Sequence, residues 1–74
     1  MASKHLSYEV WWGNPPTGEQ IIVTEDPMVA RKAASEYIAD HPLHRFGTRI
    51  IVYQGKNKGH KGKMDLLGRV TWDK

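Results

Sequence analysis

Seventy-four residues without a single cysteine exclude disulfides and thiolate metal sites, and a chain of this length buries only about 60% of the surface it exposes when unfolded. The core must be thin, so close packing or self-association has to supply what disulfides or a metal supply in other small scaffolds. Eleven Lys and Arg against eight Asp and Glu give a net charge of +3. That excess is local, because residues 55–63 carry Lys56, Lys58, Lys61 and Lys63 and no acid, while the other 65 residues carry seven cations and eight acids.

The N-terminal MASKHLSYEV lacks the apolar stretch of a signal peptide, and no apolar run approaches the roughly 20 residues of a membrane span. Residues 1–5 are expected to fray. The absence of cysteine fits a reducing compartment, so the expectation is a cytoplasmic protein with no membrane partner.

Ser7 to Trp12, SYEVWW, alternates as a strand does and is rich in aromatic residues. Gly13-Asn14-Pro15-Pro16-Thr17-Gly18 is turn chemistry: proline fixes φ and glycine permits positive φ. The β-branched run Gln20 to Thr24, QIIVT, reads as a second strand, so residues 7–24 form a hairpin. Asp26-Pro27 then starts a helix, aspartate as N-cap and proline at the first helical position. Val29, Ala33, Tyr37 and Ala30, Ala34, Ile38 recur at i, i+4 as its apolar stripe. Pro42 pushes His41 away from helical geometry, which ends the helix near Asp40 or His41.

After the loop Pro42–Gly47, the run Thr48 to Tyr53, TRIIVY, is the clearest strand of the chain. A flexible basic loop spans 54–65, and Leu66 to Trp72, LLGRVTW, reads as the last strand. The order is β-β-α-β-β, a single two-layer α+β domain with one helix on a four-stranded, mainly antiparallel sheet. Tyr8, Val10, Trp12, Ile50, Val52, Leu66, Val70 and Trp72 are assigned to the helix side, joined by either Ile21 and Val23 or Ile22. The opposite face then shows Trp11, Ile51, Tyr53 and Leu67 beside Glu9, Arg49, Arg69 and Thr71. Outward positions of an antiparallel sheet are normally polar, so that face marks an interaction surface.

Two binding chemistries follow. Lysines among glycines can reach successive phosphates on a mobile backbone, which gives charge without sequence readout. On this reading Lys56, Lys58, His60, Lys61 and Lys63, with Arg49 and Arg69, contact nucleic acid or another polyanion. Alternatively Trp11, Ile51, Tyr53 and Leu67 form a protein interface for a target protein or a second copy, since Trp and Tyr are enriched among interface anchors. Gly59-His60-Lys61-Gly62 matches the GXXG of KH domains, but it joins strands rather than helices and carries no weight. His41 and His44, separated by a proline and beside Asp40, are too poorly spaced for a metal site. The carboxylates are scattered and no nucleophile has a base in reach, so neither catalysis nor a cofactor is expected. In size and style the chain resembles small accessory proteins of bacteriophages and mobile elements that act by binding, a likeness that rests on no motif.

Overall fold

The computed structural model describes residues 5–55 and 59–73. In chain order these form β1 (Leu6–Trp12), β2 (Glu19–Thr24), α1 (Pro27–Asp40), a 3₁₀ helix (Pro42–Gly47), β3 (Thr48–Gln54), β4 (His60–Met64) and β5 (Val70–Trp72). The strands make one antiparallel sheet in the order β2-β1-β3-β4-β5, and α1 packs over β2, β1 and β3. The architecture is α+β with one main helix on the sheet, as expected.

The helix has the predicted ends. Asp26 Oδ1 accepts from the Met28 N–H at 2.9 Å, Pro27 occupies the first turn, and the chain leaves helical geometry at His41. Its two fully buried residues are Ala30 and Ala34. Side chains this small let the helix axis lie close to the sheet. They meet Tyr8, Val10, Ile50, Val52 and Met64, with Leu6, Ile21, Ile22 and Ala33 packed around them. Val29, expected on the apolar stripe, lies outward and is exposed. Both Ile21 and Ile22 reach the core because the register slips between Val10 and Trp11: Val10 pairs with Ile22 and Trp11 with Gln20. The extra residue of a bulge breaks the alternation that a regular strand would impose.

Three expectations need correction. The sheet has five strands, not four, because the second half of the supposed flexible loop is β4. It pairs with β3 from Ile50↔Met64 to Gln54↔His60, so the connection between strands shrinks to a few residues, and Lys56 and Lys58 lie outside the described residues. The last strand is short, since Leu66 and Leu67 belong to a turn rather than to the sheet. There Asp65 Oδ1 accepts from the N–H groups of Leu67 and Arg69, both at 2.9 Å, and Gly68 takes a φ of +93° that favours glycine. The Asp65 side chain satisfies backbone donors that a strand ladder would otherwise use. Finally, Trp11 and Ile51 are not exposed. They retain only 8% and 4% of their accessible surface although they lie on the face away from α1.

Candidate polyanion interface

Cross-strand pairs share a face of an antiparallel sheet, so the register places the charged groups. Tyr53 pairs with Lys61 and Ile51 with Lys63, while Trp11 pairs with Arg49 and Glu9 with Ile51. Arg49, Tyr53, Lys61 and Lys63 therefore share the open face with Glu9 and Trp11. Lys61 and Lys63 are both exposed and stand about 6.8 Å apart along one edge of β4. Arg49 Nη1 donates to Asn14 Oδ1 at 2.6 Å, which holds the guanidinium near the turn after β1, and its Nε is buried without a hydrogen-bond partner.

Two acids accompany these cations: Glu9 is buried and its Oε1 accepts from the Trp11 indole N–H at 2.9 Å, and the exposed Asp73, whose N–H donates to the Lys61 carbonyl at 2.8 Å, stands across from Lys61 on the neighbouring strand. A buried carboxylate needs such donors. Trp11 serves Glu9 in this way instead of projecting outward. Of the four residues expected to present an aromatic protein interface, Trp11 and Ile51 are thus covered. Leu67 is 70% exposed but in the turn after β4, and only Tyr53, half-buried, stays at the surface of the open face.

His60 shares the helix side with Gly62, and its ring lies 4.8 Å from that of Trp72. Arg69 stands just ahead of β5 with its N–H tied to Asp65. The register sets Lys61, Lys63 and Arg49 on one face and His60 on the other, while Arg69 stands opposite Asp65, one step past the Lys63–Thr71 and Met64–Val70 pairs.

His41 and His44 have structural partners. Trp12 and His44 stack at 3.9 Å and 6°, His44 and His41 at 5.2 Å, and His41 and Tyr37 at 4.3 Å. Tyr37 Oη and His44 Nδ1 lie 2.8 Å apart. Burial pushes the Tyr37 hydroxyl above its ordinary pKa, and the negative charge of Glu19 adds to the shift. This run of rings fastens the 3₁₀ helix to α1 and β1. Among the described residues no group of three or more His, Asp or Glu is placed to hold a metal ion, and no helix is long and apolar enough to cross a membrane.

A second feature escaped sequence reasoning. Between α1, the 3₁₀ helix and the turn after β4 lies a cavity of about 230 Å³, on whose lining are Phe46, Met64 and Leu66. Nothing in the periodicity of PLHRFG signals it. The isolated Leu43 and Phe46 in an otherwise polar loop are the one available hint. No protein-family model, curated protein or solved structure matches the chain.

Proposed function

We propose that the protein is a non-enzymatic binding protein that engages nucleic acid or another polyanion across the open face of β3 and β4. The observation that carries this reading is the register that sets Lys61 and Lys63 on one exposed face of β4 beside Arg49 and Tyr53. Two ammonium groups on a paired strand are better ordered than lysines on a free loop, so less side-chain and backbone entropy is lost on contact. Tyr53, half-buried, lies on the same face, and sheet faces that mix cations with aromatic rings suit single strands. Lys56 and Lys58 extend the same basic segment in sequence.

Fluorescence anisotropy with single-stranded and duplex oligonucleotides over a range of salt tests the reading. Wild-type binding is expected to weaken as salt rises. In the variant Lys61→Ala/Lys63→Ala the slope of log K against log salt is expected to fall in magnitude by about 1.4 on single strands or about 1.8 on duplex DNA. Fold stability should be unchanged, because both side chains are exposed. No binding at low salt, or a slope untouched by this variant, overturns the reading.

A further inference from the structure

The helix side of the sheet is incompletely covered, since α1 packs over β2, β1 and β3 while β4 and β5 extend past it. The resulting cavity of about 230 Å³ has an apolar lining that includes Ala34, Ile38, Ile50, Met64 and Leu66. Phe46 stands in its wall, yet 95% of that side chain is exposed, as is 94% of Leu43 three residues earlier. A cavity of about 150 Å³ lined by aliphatic and aromatic side chains accepts benzene, so the volume here is enough for a phenyl ring, although Arg45, Thr48, Arg49 and Asp65 also lie on its lining.

We propose that a second copy of this chain completes the cavity, with Phe46 of each copy entering the cavity of the other about a two-fold axis. The projecting ring and its receptor lie on the same surface, which is what a closed, self-complementary contact requires. Charge supports the same pairing. Arg45 precedes Phe46 and travels with it, and the receiving cavity carries one carboxylate, Asp65, beside its own Arg45 and Arg49, so the contact requires each Arg45 to turn to the Asp65 of the other copy. Among the described residues no ion pair joins Arg45 to Asp65 within one chain. The carboxylate of Asp65 is kept ionised by the N–H groups of Arg69 and Leu67, so it offers a charge to the incoming guanidinium. Size points the same way. A buried aromatic accounts for about 150–250 Å² and a standard interface for about 800 Å² per partner. Phe46, Leu43, Leu66 and Leu67 are all exposed and are the large apolar side chains available to such a contact. For a cysteine-free chain of 74 residues, association is also one of the few routes to a larger core.

Sedimentation equilibrium from micromolar to millimolar protein reads the oligomeric state, and Phe46→Ala is the primary variant. Because Phe46 is almost wholly exposed in one chain, its truncation should leave the circular dichroism spectrum and the fold intact. The dimer dissociation constant is expected to rise by about 100-fold, since the change removes one anchoring side chain from each of two equivalent contacts. Arg45→Glu, which sets like charges opposite each other, should weaken the dimer as well. In a mixture of isotope-labelled and unlabelled protein, filtered nuclear Overhauser spectra should connect the Phe46 ring to Ile38, Met64 and Leu66 of the other copy. A strict monomer throughout, a dimer indifferent to Phe46→Ala, or intermolecular contacts that avoid Phe46 would each overturn the proposal. None of these readouts depends on polyanion binding by Lys61 and Lys63.

Discussion

Each face of the sheet departs in part from the role that alternation assigns to it. On the face away from α1, Glu9, Trp11 and Ile51 are buried although the described residues place no second layer of secondary structure there. On the face toward α1, Val70 and Trp72 remain about a third exposed, although they share that face with Met64 and Gly62. The cause is width. A helix is about 10–12 Å across with its side chains, whereas five strands span four gaps of about 4.8 Å. One helix covers roughly half of that, and the strands nearest to it receive the cover. Alternation tells which residues share a face, not which face is dry.

The sharpest test compares neighbours on β3. Ile50 faces α1 and Ile51 faces away, with 2% and 4% of their surface exposed. If both faces are packed, Ile50→Ala and Ile51→Ala should each cost about 2–4 kcal/mol in urea unfolding, the usual range for truncating a buried isoleucine. A cost near 0.5 kcal/mol or less at Ile51 would mark the open face as solvated, as surface changes are, and would return Trp11 to the interface role that its position first suggests.

The next largest effects separate two tryptophans on the helix side. A β-carbon added at Gly47 falls on the ring of Trp12, and that ring is already stacked on His44, so it has nowhere to go. Gly47→Ala is expected to destabilise by about 1–3 kcal/mol, as overpacking does. At Gly62 the added carbon lies 2.8 Å from Cε3 of Trp72 and 2.7 Å from the Thr71 carbonyl oxygen. Because β5 is a three-residue edge strand, it can shift outward. Gly62→Ala should therefore change the Trp72 fluorescence more than the unfolding midpoint. Equal midpoint losses for the two variants would mean that β5 is fastened as firmly as the interior strands.

Much of this contrast was legible in the residues and some was not. Asp26-Pro27 and His41-Pro42 carry the helix ends in their own chemistry, and TRIIVY carries β3 in its β-branched side chains. HKGKM carries almost no such signal. Its one apolar side chain is Met64, and it forms a strand because the edge of β3 offers it a ladder, a tertiary effect that outweighs local preference. The opposite error arose at LLGRVTW. Its apolar residues suit a strand, but Asp65 captures two backbone donors ahead of them and Gly68 turns the chain. As for the site, Lys61 and Lys63 stood out by charge. Alternation alone sets them on the face opposite to His60, but whether they share a face with Arg49 depends on the register of a strand that local preference does not reveal.

Asp65 gives the smallest effect and ties that turn to the cavity beside it. The N–H of Arg69 and then that of Leu67 hold its carboxyl below the ordinary aspartate range, and the positive charge of Arg69 acts in the same direction. A carboxyl whose pKa is depressed by folding binds its proton more readily in the unfolded chain. Its contribution is therefore complete above the unfolded value of about 3.9 and disappears as pH falls through the lower folded value. Asp65→Asn removes the charge while keeping the size of the side chain. The wild type should be the more stable of the two at neutral pH by a constant margin in urea midpoint, and that margin should narrow only below about pH 4. A margin that already shrinks near pH 6 would point to a histidine rather than to Asp65. One that persists at the lowest pH would mean that the turn depends on the shape of the side chain and not on its charge, which would also remove the electrostatic reason for Arg45 to seek this wall of the cavity.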